Sequence, residues 1–169
     1  ESKAVPPCLP PSMLIVVPLP HPLCPGLSAN VCVTCDPMSS KTIITILDFN
    51  GACDLALLPS YIDFAQAVIL PNAMNYCAFG WIPCGQGTLT TVFRTPLCFE
   101  QDIDVPGDVH SCNNSYCVEV YEICIDIQTG LPVTTLISTY IDGALLCAPI
   151  IWNPLLPPGT CFRLNLNCP

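Results

Sequence analysis

Alternating apolar and polar residues predict a β-hairpin within residues 112–147. Every second residue over 121–128 is apolar, beginning with Tyr121, and this period of two is typical of a half-buried strand. Residues 129–132 break the run, because Gly130 accepts a positive φ and Pro132 cannot donate to a strand ladder. Residues 133–141 are again rich in Val, Thr, Ile and Tyr, which predicts the second strand.

Further apolar and β-branched runs predict strands on both sides of the hairpin. Residues 60–70 also carry a helix-capping pattern, Ser60 with Asp63, but they end in β-branched residues before Pro71, so we interpret them as a strand. About eight or nine short strands with frequent turn signals indicate an all-β fold, a jelly-roll-like β-sandwich. The predicted strands outside the hairpin are 42–49, 60–70, 76–82, 88–95, 97–103, 144–152 and 161–168, and residues 54–58 are a candidate for a second short strand after 42–49.

Prolines recur through residues 1–38 and predict an extended N-terminal arm, rich in proline and cysteine, before a β-sandwich domain at 39–169. Within the arm, a short apolar segment lies between Pro11 and Pro18. Two interpretations stay open: the segment adds a strand to the sheet edge of another copy, or it folds back as an edge strand of its own domain. It consists of Met13, Leu14, Ile15, Val16 and Val17.

The chain is unusually apolar for a soluble monomer. Hydrophobic residues make up 51%, charged residues 10%, and the mean hydropathy is +0.57, whereas charged residues typically make up about 25% of such domains. Pro, Asp or Asn interrupts every run before the ~20 apolar residues that a membrane-spanning helix needs. We therefore expect no membrane span, and burial of the surplus apolar surface against copies of the same chain.

The charge balance is strongly acidic, with a net charge of −9 and four lysines and arginines in total. Such a surface repels phosphate backbones, so we expect no nucleic-acid partner. The same scarcity of basic residues leaves few sites for trypsin, as suits a material that resists digestion.

Fourteen cysteines make a disulfide scaffold the default interpretation. Disulfides persist in oxidising surroundings, so we expect an extracellular or cell-surface location. A core of this size does not need seven internal disulfides, as a much smaller secreted domain would, which leaves some cysteines for links between subunits. The chain begins at Glu1 without a signal peptide, so we expect a mature or trimmed form.

Catalytic signals are weak. His21 lies between prolines, and His110 lies two residues from Cys112, but an oxidised cysteine is no nucleophile. The sequence contains no nucleotide-binding or nucleophile-elbow motif. We expect neither an enzyme nor a cofactor site.

Two segments resemble metal sites in part. Cys32 and Cys35 form a CxxC motif without the second pair that a zinc ribbon needs, so a structural disulfide or an intersubunit link is the better interpretation. The acidic residues around Asp104, at 102–108, lack the spacing of an EF-hand and favour an ordinary acidic turn over a calcium site. We therefore expect no metal site.

Asn113 begins a glycosylation sequon, which is a site for glycan attachment if the source is a eukaryote.

Four cysteines in the arm, scattered single cysteines such as Cys98, Cys124 and Cys147, and the terminal sequence FRLNLNCP carry a resemblance. The chain resembles the cysteine-rich, self-assembling β proteins of bacterial endospore surfaces, namely the jelly-roll subunits of endospore appendages and the lattice proteins of the exosporium. This resemblance implies an arm that reaches into neighbouring subunits and cross-links them, with Cys8 and Cys24 as the reaching thiols. The intersubunit candidates are Cys8, Cys24, Cys32 and Cys35. The chain departs from the family in its longer, more proline-rich arm, which has no adjacent cysteine pair, and in its larger number of cysteines.

Two functions follow from these features. The first is a structural subunit of a disulfide-cross-linked extracellular or spore-surface filament, sheath or lattice, which is a polymer of one protein held by β-sheet and disulfide contacts. The alternative is a secreted, monomeric, disulfide-rich binding module, such as an inhibitor or adhesin domain. The two differ in where the disulfides lie: between copies in the first, and all within one chain in the second.

Overall fold

The computed structural model describes residues 8–77, 79–112, 114–145, 147, 149–164 and 168. These residues contain nine strands, the helix α1 (Leu58–Ile69) and a single-turn helix α2 (Ala73–Tyr76). Short 3-10 turns at Leu55–Leu57 and Leu70–Asn72 flank α1. The strands are β1 (Met13–Pro18), β2 (Ser28–Asp36), β3 (Lys41–Asn50), β4 (Leu89–Pro96), β5 (Cys98–Gln101), β6 (Val109–Ser111), β7 (Tyr116–Ile125), β8 (Pro132–Asp142) and β9 (Phe162–Arg163).

All nine of these strands belong to one sheet. From its edge at β1, the sheet continues through β2, β3, β4 and β7 to its other edge at β8. Near the end of β3, Asp48 and Phe49 pair with β6 instead of β4, and β6 leads through β5 to β9. The paired strands are antiparallel except for β3 and β4, which are parallel. Parallel neighbours need a crossover connection, and the segment that carries α1 provides it.

Helix α1 covers one face of the sheet and forms the main core with it. Leu58 and Tyr61 of the helix belong to one hydrophobic cluster with Ile44, Phe93 and Ile123 from three central strands. All five side chains are fully buried. Every second side chain of a strand points to the same face of the sheet, and the apolar side chains on this face pack against the helix.

The segment predicted as a strand at 60–70 is instead helical. The buried residues of α1 recur at the spacing of a helix, three, four and seven positions apart, rather than at every second position. Pro59 occupies the first turn, where its missing N–H costs nothing, and Asp54 caps the preceding 3-10 turn by accepting from the Ala56 amide. The helical spacing of the buried residues and the favourable N-terminal residues therefore decide the conformation, although β-branched residues at the end of the segment favour a strand.

Other predicted strands differ in extent or in kind. The strands expected at 42–49, 88–95 and 97–103 and the hairpin are confirmed, as β3, β4, β5, β7 and β8. Residues 54–58 form a 3-10 turn and the first residue of α1, and the described residues of 76–82 and 144–152 lie in no strand. The strand expected at 161–168 shortens to β9, and its residues 165–167 lie outside the described ones. The strands β2 and β6 are not among those predicted from the sequence.

The N-terminal arm expected at 1–38 is, in its described part, built into the sheet. Residues Met13–Pro18 pair antiparallel with β2, and β2 pairs with β3 along nine residue positions. Residues 1–7 lie outside the described ones. The chain after residue 8 therefore forms two strands of the same sheet rather than a separate extended segment.

The all-β class fits the structure, since one large sheet dominates it. A jelly roll or β-sandwich has two sheets packed face to face. In the described residues the strands form a single sheet, and the layer packed on it is α1.

A polar contact fixes α1 on the sheet. The Gln66 amide donates to Glu119 at 2.8 Å and to the Tyr121 hydroxyl at 2.7 Å, and this hydroxyl donates to Glu119 at 2.9 Å. Burial raises the pKa of the Tyr121 hydroxyl, and the neighbouring Glu119 raises it further. Tyr121 therefore stays protonated as a donor over the range in which ordinary tyrosines begin to ionise.

Two buried hydroxyls in the sheet lack hydrogen-bond partners in the described part of the chain. They belong to Thr42 and Thr91, which are neighbours on β3 and β4. We expect Thr91→Val to raise the free energy of unfolding, measured in urea with the disulfides intact, by about 1 kcal/mol, because an unsatisfied buried hydroxyl carries a desolvation cost of that order. Thr90→Val, on the half-exposed side of the same strand, is the control and should change stability by less than about 0.5 kcal/mol. A loss of stability in Thr91→Val would contradict the prediction.

Candidate functional site

All fourteen cysteines form disulfides within the chain. The four intersubunit candidates are among them: Cys8 bonds to Cys32, Cys24 to Cys53, and Cys35 to Cys77. No thiol of these four cysteines is therefore free to form the expected links between subunits. The remaining pairs are Cys84–Cys124, Cys98–Cys147, Cys112–Cys161 and Cys117–Cys168.

Local structure explains the pairing of the N-terminal cysteines. A turn, closed by the Ser12 amide on the Leu9 carbonyl at 2.8 Å, precedes β1. Because β1 then runs antiparallel beside β2, this turn returns Cys8 to Cys32, with Cα atoms 5.6 Å apart. The two cysteines of the CxxC motif are three positions apart on the extended strand β2, so their side chains leave opposite faces and bond different partners.

Three disulfides cluster near the C-terminal end of the chain. The pairs Cys98–Cys147, Cys112–Cys161 and Cys117–Cys168 belong to one small cluster with Leu97 and Leu145. The Sγ atoms of Cys98, Cys147 and Cys161 all lie within 4.8 Å of one another. Metal ligation requires thiolates, and each of these sulfurs is held in a disulfide. The cluster anchors the segment after β8, whose described residues contain only the two-residue strand β9.

His21 is buried in a structural role against α1. Its Nδ1 accepts from the Leu23 amide at 3.1 Å, so in the neutral ring the proton is on Nε2, which donates to the Ser60 hydroxyl at 3.1 Å. The ring edges contact Tyr61 and Phe64. Both ring nitrogens of His21 are therefore engaged in contacts within the fold.

His110 pairs with a carboxylate rather than with a cysteine. Its Nε2 lies 2.7 Å from Glu100 across β6 and β5, and both side chains are buried. Asp48, the neighbour of His110 on β3, accepts from the Asn30 amide at 2.6 Å. Burial raises the pKa of Asp48, and this hydrogen bond opposes the rise. The two polar pairs, His110 with Glu100 and Asn30 with Asp48, thus lie side by side on neighbouring strands, and each member has a polar partner.

The acidic loop is a turn whose carboxylates bind backbone amides. Asp102 accepts from the amides of Asp104 and Val105 at 2.8 and 3.0 Å, and these bonds lower the pKa of Asp102. Asp108 faces the Gly51 amide at 3.4 Å. This arrangement is that of the acidic turn favoured above. Asn113 of the sequon lies outside the described residues.

The two edges of the main sheet path are open and apolar. β8 is the longest strand, and nearly all of its side chains are exposed, on both faces. Its outer edge pairs with no described strand. A β-bulge at Ile137 interrupts its pairing with β7. The exposed apolar side chains of β8 are Val133, Leu136, Ile137, Tyr140 and Ile141.

β1 forms the opposite edge. The strand-exchange candidate Met13–Val17 pairs with β2 of its own chain, in accord with the second of the two interpretations. Leu14 and Val16 stay exposed beside this edge, at 58% and 60%. The sequence pointed to β1 through its isolated apolar run. It did not single out β8, although the unalternated run Val-Thr-Thr-Leu-Ile at 133–137 is the signal of a strand with no covered face.

Comparison with protein-family models, with curated proteins and with solved structures found no match. In the described part of the chain, no helix is both long and apolar enough to cross a membrane. The fold and its seven intrachain disulfides define a disulfide-rich β protein, a class consistent with an extracellular setting.

Proposed function

We propose that the protein is a structural subunit of an extracellular filament, sheath or lattice, in which copies join through the open edges of their sheets. A bacterial spore surface is the setting that the sequence resemblance implies. The observation that carries the proposal is β8, an eleven-residue edge strand with exposed apolar side chains on both faces. An unpaired strand edge is a template for another strand, and monomeric proteins commonly protect such edges with charges or prolines.

Charge distribution supports contacts at these edges. The chain carries a net charge of −9, so copies repel one another over most of their surface. β1 contains no charged residue, and β8 contains one, Asp142, which lies at its end and pairs with Arg94 at 3.3 Å. The edges are therefore the part of the sheet where two copies approach with least repulsion.

The disulfides have a different role from the one first expected. Because every cysteine bonds within its chain, the proposed contacts between copies are those of backbone and apolar side chains. The seven bridges instead hold each subunit in shape, since cross-links that close loops of 24 to 51 residues restrict the unfolded chain. A durable assembly then results from subunits that resist unfolding.

Charging the β8 edge tests the proposal. We expect the oxidised wild-type protein to form fibres or sheets in negative-stain micrographs, and Leu136→Lys/Ile137→Lys to remain monomeric by light scattering. Both side chains are half exposed, so the lysines are tolerated by the fold but oppose pairing at the edge. Met38→Lys/Leu155→Lys, at turn positions 96% and 92% exposed, changes charge equally and should assemble like wild type. A wild-type monomer at all concentrations would contradict the proposal.

The second candidate function is the monomeric, disulfide-rich binding module, such as an inhibitor or adhesin domain. It is favoured by the complete intrachain pairing of the fourteen cysteines. In that case β8 would serve as the edge that captures an extended segment of another protein. A sharp monomeric mass for wild type together with unchanged behaviour of the β8 variant would support this candidate over the first.

A further inference from the structure

A small apolar cavity lies between the start of the helical segment and the C-terminal part of the chain. Its volume is about 280 Å³, and its lining includes the apolar side chains of Leu55, Pro59, Trp152, Phe162 and Leu164. Arg163 lines this cavity and also a neighbouring one of about 200 Å³. The cavity borders the C-terminal disulfide cluster, since Arg163 contacts the Cys147 carbonyl, and its lining includes no residue of β1 or β8.

The guanidinium of Arg163 is incompletely satisfied. One terminal nitrogen, Nη2, donates to the Cys147 carbonyl at 2.6 Å, whereas Nε is buried and has no hydrogen-bond partner among the residues that the structure describes. The ion pairs of the described residues join Arg94 to Asp142 and His110 to Glu100, so Arg163 has no carboxylate partner among them. A buried donor of a charged group that has no partner carries a desolvation cost in free energy, which a bound ligand can remove by accepting the hydrogen bond. In a chain of net charge −9, an arginine without an acid beside an apolar cavity is a site for an external anion.

We propose that this cavity binds a small aliphatic carboxylate. The planar fork of a guanidinium matches a carboxylate, so Arg163 would hold the head group. The alkyl chain would lie against Leu55, Trp152 and Phe162. A volume just below the ~300–1,000 Å³ usual for small-molecule pockets suits a short chain, and a single positive charge suits a monoanion rather than a phosphate ester.

Trp152 reports directly on occupancy of the cavity. In a Trp81→Phe background, which removes the other, exposed tryptophan, we expect octanoate below its micellar concentration to change Trp152 fluorescence saturably. Octanol, with the same chain and no charge, should bind at least about ten-fold more weakly, because a charge-assisted hydrogen bond is worth on the order of a factor of ten in affinity. Arg163→Gln should weaken octanoate binding by a similar factor without affecting octanol, and Arg163→Lys should weaken it less.

A second variant guards against misfolding of the Arg163 substitutions. Ala56→Phe adds a ring at an exposed position on the cavity wall and removes no contact, so it should abolish octanoate binding while the fold is kept. Equal binding of octanoate and octanol, or octanoate binding unaffected by both Arg163→Gln and Ala56→Phe, would overturn the proposal. Absence of any saturable change with octanoate would overturn it as well. These outcomes do not depend on whether the protein assembles.

Discussion

Replacing Cys112 and Cys161 together by alanine should release the C-terminal segment while the main sheet stays folded. The described residues after β8 form one strand, β9, of two residues, so this segment depends on its sulfur bonds more than on a backbone ladder. The bridge closes a loop of 49 residues, and its loss should lower the free energy of unfolding by about 4 kcal/mol, the value expected for a loop of this length. Both cysteines are half-buried, which limits the cavity that alanine leaves.

Limited proteolysis with thermolysin distinguishes local release from general weakening. Residues 149–156 contain exposed apolar sites such as Ile151 and Leu155, which a protease cuts only after several residues unfold. We expect cleavage there to be at least about ten-fold faster in the variant, a factor that corresponds to about 1.4 kcal/mol of local opening free energy. Cys84→Ala/Cys124→Ala is the control, since it opens a loop of 40 residues whose ends are also joined by backbone hydrogen bonds at Ile125. Equal cleavage of the two variants would contradict a local role.

The parts of the fold that could be predicted are those in which local pattern and final environment agree. The hairpin of β7 and β8 follows from alternation, β-branched residues and a turn that contains Gly130 and Pro132, and β3 follows from its β-branched residues. All of these are local signals. β1 was equally visible as an apolar run between prolines. In each case the signal lies within about ten residues, so no knowledge of partners was needed.

The parts that could not be predicted depend on contacts between distant segments. α1 was read as a strand because its end is β-branched, yet the parallel pairing of β3 with β4 requires a crossover, and a helix fills it. Disulfide partners are likewise set by topology: Cys35 reaches Cys77 only because the chain after α1 returns to the end of β2. Fourteen cysteines permit very many pairings, and spacing alone does not choose among them.

The candidate edge at β8 was hidden for a related reason. Its sequence shows that the strand is apolar, but whether a second layer covers it depends on the extent of α1. The helix ends at Ile69, and the 3-10 turn that follows it reaches one face of β8 with few contacts. Exposure of both faces is thus a consequence of a short helix beside a wide sheet.

Strand direction determines how copies would join at these edges. β4 is parallel to β3, and two antiparallel steps through β7 give β8 the same direction. Two antiparallel steps through β2 also give β1 the direction of β3. β1 and β8 therefore run the same way at opposite edges. If a second copy continues the sheet with its helix on the same side, its β1 lies parallel to β8 of the first. The addition then repeats head to tail and gives an open polymer unless the rotation between copies closes a ring.

A contact of β8 with β8 would behave differently. A twofold axis perpendicular to the sheet would make that pair antiparallel and would bury both edges in a closed dimer. In the head-to-tail arrangement each copy uses two different edges, β1 and β8, so blocking either one stops growth. The two arrangements can therefore be distinguished by blocking one edge at a time and measuring the size of the assembly.

Mixing two blocked variants should produce a dimer that neither variant forms alone. Leu14→Lys/Val16→Lys charges the β1 edge and leaves β8 open, and Leu136→Lys/Ile137→Lys charges the β8 edge and leaves β1 open. We expect each to be monomeric by light scattering, and an equimolar mixture to give a one-to-one dimer by native mass spectrometry, since one good edge of each kind remains. All four positions are exposed, so the lysines remove no core contact, and recovery of binding on mixing excludes loss of folding directly. If the β1 variant alone dimerises and mixing adds nothing, copies join through β8 in a closed pair, and the continuous sheet is ruled out because growth of an open polymer needs two unlike edges.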